Sequence, residues 1–330
     1  MSESNNRIRG EIEKIDFSFN QGKKIAIVLL AYDRPEYTAR VLDSIEKNKI
    51  SAKIPIFLFV DGGPQTRQHS IIKDFANRKS LKYKYAIPRK RNIGCSANII
   101  NAREKIFEQL NFDSAFIIED DLVLSENYIE HLLEANRILT HKYENIGMIQ
   151  GWNPKGDDEQ KDPNAFEIVE NSHLWGYIMN REVWSEIREI MLKYRKQFHD
   201  HLPKNGNGKY HFEIPEHLDK VRQYFRDTLK NQSNLFLYGE KAVLGTQAEA
   251  DKISTRLSRP KVATGQDAMT ETALVSKGFV RLYTARNKSK NIGEWGLHQT
   301  PEIYKKHGLG KITYSSYDYN PEKFYVRIEK

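Results

Sequence analysis

Strand and helix patterns alternate along the first third of this chain and predict an α/β fold built on a doubly wound sheet. Three observations carry the prediction. Short, almost unbroken runs of β-branched and other apolar residues recur, as in strands buried on both faces. Segments of helical length, joined by short connections, separate them. Each run then stops at a cluster of polar residues, and ligands of doubly wound sheets bind beyond such strand ends.

The first strand is Lys24 to Leu30, and a helix follows from Pro35, a favoured first-turn residue, to about Lys47. The second strand, Ile54 to Val60, stops at Asp61-Gly62-Gly63. A helix from about Gln68 to Asn77 leads to a third strand, Leu81 to Ile87, and a helix from Ser96 to Leu110 leads to a fourth, Ala115 to Ile118. The strand ends therefore gather Tyr32-Asp33-Arg34, Asp61, Arg89-Lys90-Arg91-Asn92 and Glu119-Asp120-Asp121 along one edge. No G-x-G-x-x-G or P-loop follows the first strand, which argues against a dinucleotide-binding Rossmann domain and a P-loop NTPase.

Later strands are expected at Ile146 to Gly151, Glu167 to Val169 and Trp175 to Met179, with an amphipathic helix from Arg181 to Arg195. Residues 199–259 turn polar, include Asn205-Gly206-Asn207-Gly208 and a helix from His217 to Lys230, and read as an insertion or lid. A helix from Ala268 to Lys277 and a strand from Phe279 to Tyr283 restore the pattern. The expected divisions are a polar extension (1–22), a first half (23–125), a second half holding the insertion (126–300) and a Tyr- and Lys-rich tail (301–330).

Lys and Arg outnumber Asp and Glu by 52 to 44, for a formal charge of +8, which suits anionic partners such as nucleotides, anionic glycans or acidic lipid headgroups. Nucleic acid is disfavoured, because the densest basic cluster, Arg89-Lys90-Arg91, has no interleaved aromatic platform. Cys95 is the single cysteine, so no intrachain disulfide forms and a reducing compartment is expected. The opening residues lack an apolar signal-type core, and no run approaches the ~20 apolar residues of a membrane span. The expectation is a soluble, cytoplasmic protein, with peripheral contact to an anionic membrane left open.

Within this frame the acid triplet Glu119-Asp120-Asp121 stands out. Adjacent carboxylates repel one another, so the run is either a solvated acidic turn or a site neutralised by a cation, most simply a divalent metal. The convergence of the other polar strand ends favours the second reading.

Four segments together resemble glycosyltransferases of the GT-A type: Ala31-Tyr32-Asp33-Arg34-Pro35, Val60-Asp61-Gly62, Ile118-Glu119-Asp120-Asp121-Leu122, and Gly265-Gln266-Asp267 followed by Asn291-Ile292-Gly293. They span about residues 23–298 in the order that fold uses, and are most similar to the N-acetylglucosaminyltransferases of N-glycan branching and to bacterial surface-glycan transferases. The resemblance implies a Rossmann-like, doubly wound mixed sheet with the polar insertion and the C-terminal tail added. Residues 23–125 would bind a nucleotide sugar, and residues 126–300 would hold the acceptor and catalytic groups. The implied reaction is inverting transfer from a UDP-sugar, with UDP-GlcNAc the first candidate, to a hydroxyl of a glycan or lipid-linked glycan. Residues 199–259 match nothing in that family and read either as an acceptor-specific lid or as an interaction surface, in which case no relative tells the acceptor.

Roles follow from the resemblance residue by residue. Asp121 would hold Mn2+ or Mg2+, with His298 completing the shell. Asp120 would face the ribose or the transferred sugar, and Glu119 would orient the site or touch the sugar. Ala31, Tyr32 and Arg34 would bind the donor nucleotide, Arg34 contacting the base or phosphate; Asp33 either orients Arg34 or caps the following helix. Asp61 either accepts a uracil imide N–H or caps the turn into its two glycines. Arg91, Asn92 and Asn98 flank a helix start suited to diphosphate. Asp267 would be the catalytic base, although it also reads as an N-cap; Glu271 is the reserve one turn later, and Trp175 the acceptor-side platform. A catalytically inactive nucleotide- or glycan-binding relative and a sugar nucleotidyltransferase are the alternatives. The second lacks the glycine-rich basic loop it needs after the first strand.

Overall fold

Ile25–Ala31 forms β1, whose seven residues are all buried, because apolar side chains on both faces are matched by helices above and below the sheet. The computed structural model describes residues 3–169, 173–200, 215–230, 255, 265–296 and 299–327. Around β1 the chain runs in order through α1 (Glu3–Ile12), α2 (Pro35–Lys47), β2 (Ile56–Val60), α3 (Gln65–Asn77), β3 (Lys84–Pro88), α4 (Cys95–Glu104), β4 (Ser114–Glu119) and β5 (Leu122–Leu124). It continues through α5 (Tyr128–Lys142), β6 (Ile146–Gln150), β7 (Ala165–Ile168), β8 (Tyr177–Asn180), α6 (Arg181–Phe198) and α7 (Pro215–Lys230). The last elements are α8 (Gln266–Ser276), β9 (Val280–Thr284), β10 (Ser289–Asn291), α9 (Pro301–Lys306) and β11 (Tyr325–Arg327).

Nine strands form one mixed sheet in the order β11-β7-β9-β6-β8-β4-β1-β2-β3. β1 lies parallel to both β2 and β4, whereas β8 runs antiparallel between β4 and β6. The chain leaves β1 for β2 and β3 on one side, then returns to β4 on the other. That reversal is a topological switch point, and it opens a crevice beyond the carboxyl ends of β1 and β4. Leu30 pairs with Glu119 and Ala31 with Val60, so the three strand ends are level.

The doubly wound half follows its sequence pattern closely. α2 opens on a proline, carries Glu36 in its first turn and Lys47 in its last, and buries Val41, Leu42 and Ile45. The helix expected from Ser96 to Leu110 instead ends as an α-helix at Glu104 and widens into a π-helix over Lys105–Gln109. β8 starts two residues later than expected, after Gly176 turns the chain at φ +64°. Of the segment 199–259, only α7, residues 199–200 and residue 255 belong to the described residues.

Three regions carry more structure than their composition announces. The polar opening folds into α1, whose Ile8 and Ile12 are buried, and Phe17 meets Phe112 edge-on at 6.5 Å between ring centres. α5 buries Tyr128, Leu132, Ala135 and Leu139, an i, i+4, i+7, i+11 stripe that its sequence does display. The tail adds β11 to the sheet edge, and Tyr319 stacks on the buried His131 at 4.2 Å. None of the described helices is long and apolar enough to cross a membrane.

β5 and β10 make a separate two-stranded ladder that pairs Leu122 with Asn291. It is braced by Asn48 at the end of α2. The buried Asn48 amide donates to the carbonyls of Ser44 and Ser125 at 2.9 Å each, and its oxygen accepts from the Ile129 N–H at 2.9 Å. Asn48→Ala removes these three hydrogen bonds, leaving the Ser125 carbonyl only the Tyr128 N–H at 3.2 Å, and is expected to lower unfolding free energy by about 2–3 kcal/mol in urea denaturation. A change below 0.5 kcal/mol would show the brace to be dispensable.

Candidate active site

The crevice at the switch point is a cavity of about 570 Å3. β1 delivers Ala31 to Arg34, β2 delivers Asp61, and β4 delivers Glu119, Asp120 and Asp121. Asn98 enters from α4, His173 and Trp175 from the loop before β8, and Gln266 and Asp267 from the first turn of α8. Among the described residues, six Asp and Glu line it against one Arg or Lys, Arg34. Such a wall attracts cations and admits a phosphate only together with one.

Arg34 is clamped at the centre. Its Nη2 donates to Asp120 Oδ1, its Nη1 lies 3.0 Å from Asp121 Oδ2, and the same Nη1 reaches the Trp295 carbonyl at 3.2 Å. Burial opposes the guanidinium charge, but Asp120 and Asp121 more than compensate and hold its pKa above the ordinary value. The other oxygens, Asp120 Oδ2 and Asp121 Oδ1, are buried and have no hydrogen-bond partner among the described residues. Burial pushes Asp120 up to about 6, with Arg34 pulling the other way. Glu119 is held well above the usual carboxylate range by burial and by the charges of Asp267, Asp121 and Asp120.

Two orphaned, buried acid oxygens on successive residues of one cavity wall suit a hard divalent cation. No cluster of three or more His, Cys, Asp or Glu among the described residues could hold a metal on its own. The donor set therefore fits an ion that takes its remaining ligands from water and a bound phosphate, as Mg2+ and related ions commonly do. Gly293 is pressed against this spot: a Cβ there would lie 2.2 Å from Asp121 Oδ2. The β5–β10 ladder and the 2.7 Å bond from Ile292 N–H to the Asp121 carbonyl hold it in place.

Asp61 is buried and accepts the backbone N–H groups of Gly62, Ile93 and Gly94 at 2.8–2.9 Å. It thus knits the β2 turn to the start of α4 while still lining the cavity. Gly62 permits this closeness, since a Cβ would lie 2.1 Å from the Arg91 carbonyl carbon. The same packing corrects two expectations. Arg91 is exposed, and Asn92 is turned to accept the Gly94 N–H at 2.7 Å, so neither belongs to the cavity lining. Asn98 does, accepting from Arg89 Nε at 3.3 Å. Asp33 makes no helix cap; its carboxylate faces Arg67 at 3.5 Å.

Across the cavity, Asp267 sits in the first turn of α8. Its Oδ1 accepts from the Gln266 amide, and its Oδ2 is 3.5 Å from the Leu174 N–H. Burial pushes its pKa up to about 6, against the lowering effect of the Leu174 N–H and of Arg103 and Arg281. Glu271 is not at the cavity. One turn further along, it points into the core and forms a buried ion pair with Arg281, so its expected reserve role as a base is replaced by a structural one. Trp175 is half-buried at the wall, edge-on to Trp152 at 4.6 Å; Trp152 itself is core. Trp295 is 65% exposed, its backbone N–H 3.2 Å from the Tyr37 hydroxyl. His298 lies outside the described residues.

Several lining residues had no clear sequence signal. His173 is two residues from Trp175 and packs on it at 4.6 Å, but a lone histidine in a loop announces nothing. Cys95 and Ser96 line the wall at the start of α4, beside the glycine-led turn.

The model of the GNT-I family matches residues 3–209. No curated protein matches the chain in sequence. Among solved structures, a mannosyltransferase from Pyrobaculum calidifontis, in complex with GDP-Man and Mn2+, is similar at 12% identity over 76% of this chain and 73% of that one, with a TM-score of 0.44. Residues 1–349 of TarS from S. aureus are similar at 10% identity over 71% and 70%, with a TM-score of 0.41. Glucosyl-3-phosphoglycerate synthase from Mycobacterium tuberculosis, with Mn2+, UDP and phosphoglyceric acid, gives 12% identity over 57% and 68%, with a TM-score of 0.36.

Proposed function

The chain belongs to the GNT-I family and is a glycosyltransferase, and from that premise we propose that it moves a sugar, with inversion, from a UDP-sugar to a hydroxyl of a glycan acceptor. UDP-GlcNAc is the first donor to try. The observation that carries the reading is that a raised carboxylate, Asp267, and the Glu119-Asp120-Asp121 run line a single cavity of about 570 Å3. One side suits a cation and a diphosphate; the other suits a hydroxyl that must lose its proton.

In this reading Asp267 takes the proton from the acceptor hydroxyl. The acceptor oxygen forms the new bond to the anomeric carbon, and the bond from that carbon to the diphosphate oxygen breaks, its electron pair leaving with the nucleoside diphosphate. Mn2+ or Mg2+, when bound, neutralises the diphosphate; Asp121 would hold it, with Asp120 beside it. Arg34, Asp61 and Trp175 all line the cavity; Arg34 would meet the phosphates, Asp61 the base and Trp175 the acceptor sugar. Divalent-cation dependence follows from the orphaned acid oxygens and from the excess of acids on the wall.

Only the ionised form of Asp267 accepts a proton, so transfer should rise with pH through about 6 and level off above it. The deciding experiment screens UDP-, GDP-, CMP- and dTDP-sugars with and without Mn2+ for thermal stabilisation and nucleotide release. The expected result is a Mn2+-dependent rise in Tm with a UDP-sugar; no rise with any donor would sink the proposal. Gly293→Ala pushes a methyl group into Asp121, and should weaken Mn2+ binding about 10- to 100-fold by calorimetry with little change in Tm. Unchanged Mn2+ affinity would move the metal away from Asp121.

A further inference from the structure

Arg103 is a fully buried cation on α4 whose hydrogen bonds, among the described residues, go to hydroxyl groups rather than to a carboxylate. Its Nε lies 3.0 Å from the Tyr177 hydroxyl, Nη2 donates to the same oxygen, and Nη1 lies 3.0 Å from Thr270 Oγ1. Burying a guanidinium without an ion-pair partner is costly, so its retention calls for a purpose.

The purpose is visible in the direction of the protons. Arginine only donates, so Thr270 Oγ1 must accept from it and turn its own hydrogen elsewhere. The acceptor in reach is Gln266 Oε1, at 3.3 Å, one helical turn back on α8. With its oxygen engaged, Gln266 presents its NH2 group to Asp267 Oδ1. One obligatory donor therefore sets every member of a buried chain that ends on the carboxylate.

The other titratable groups around Asp267 are Glu119 on β4, Glu271 on α8, Tyr177 on β8, Tyr194 on α6 and Cys95 on α4, with His173 on the same cavity wall. Arg281 is ion-paired with Glu271. Both Arg103 and Arg281 favour the ionised form of Asp267, and Glu271, beside Arg281, opposes it.

We propose that Arg103, acting through Thr270 and Gln266, is the positioning residue of the base: it fixes the orientation of the Gln266 amide and keeps Asp267 ionised and aimed into the cavity. The role as base rests on the function proposed above; the chain of hydrogen bonds does not. The test is a carboxyl-carbon NMR titration of the full chain with 13Cγ-labelled aspartate, the Asp267 signal being assigned by its loss in Asp267→Asn. Arg103→Gln removes the charge but can still hydrogen-bond, and Thr270→Val cuts the chain without changing volume much. Both should raise the Asp267 midpoint from about 6, Arg103→Gln by about one pH unit or more. Thr270→Ser, which keeps the hydroxyl, should restore the original value.

Unmoved midpoints in folded Arg103→Gln and Thr270→Val would overturn the proposal. If Arg103→Gln does not fold, Thr270→Val against Thr270→Ser decides alone. A shifted midpoint in a protein that turns over no nucleotide sugar would leave the chain standing and remove the function proposed above; turnover with unmoved midpoints would do the reverse.

Discussion

Asp267→Asn should fold, bind nucleotide sugar in the presence of Mn2+ as the original protein does, and transfer sugar about 10³-fold more slowly. The asparagine has the same shape and still accepts from the Gln266 amide, so the start of α8 should hold. It has no proton-accepting carboxylate, and the nearest acid on the same helix, Glu271, is tied to Arg281 away from the cavity. Rescue by a neighbour is therefore not expected. Single-turnover kinetics at pH 7.5 separate this loss from weakened binding. A rate within tenfold of the original would remove Asp267 from the chemistry.

The second large effect belongs to Asp121. Asp121→Ala deletes one of the two orphaned acid oxygens and frees Arg34 from half of its clamp. UDP binding should lose its dependence on Mn2+, with at least about a 100-fold drop in Mn2+ affinity. Asp121→Asn, which preserves shape, separates the loss of charge from the release of Arg34 and should show most of the same drop. Glu119→Ala should cost less than tenfold, since burial and the charges of Asp267, Asp121 and Asp120 hold Glu119 well above the usual carboxylate range and make it a poor ligand for a cation. The reverse ranking would place the metal on Glu119.

Much of this site was legible because strands and polar strand ends are local signals. The run Ile25 to Ala31 declares a two-sided strand, and the triplet after β4 declares a charge problem, without any partner in view. Asp267 stood out only through its likeness to a family pattern, since Gly265-Gln266-Asp267 alone also describes a helix cap. What stayed hidden depended on distant packing. Glu271 looks as accessible as Asp267 in sequence, and only Arg281 on the neighbouring strand explains why it turns inward. Arg91 and Asn92 looked like phosphate ligands beside a helix start, but the close approach of Gly62 takes up their backbone and leaves Asp61 to gather the amides. The α1 segment reads as polar because few of its side chains are apolar, yet Ile8 and Ile12 are placed to meet the core.

The position of β9 has a consequence for how the chain is made. β6 and β7 are not neighbours: each is hydrogen-bonded to β9, which comes more than a hundred residues later and sits between them. During synthesis from the N-terminus, β6 and β7 emerge long before the strand that joins them. Until residues 280–284 arrive, both hold open edges that invite pairing with other chains. The half of the sheet that supports Asp267 is therefore the last to close, and the nascent chain is most exposed to aggregation while the strands that carry Asp61 and Glu119-Asp120-Asp121 are already built.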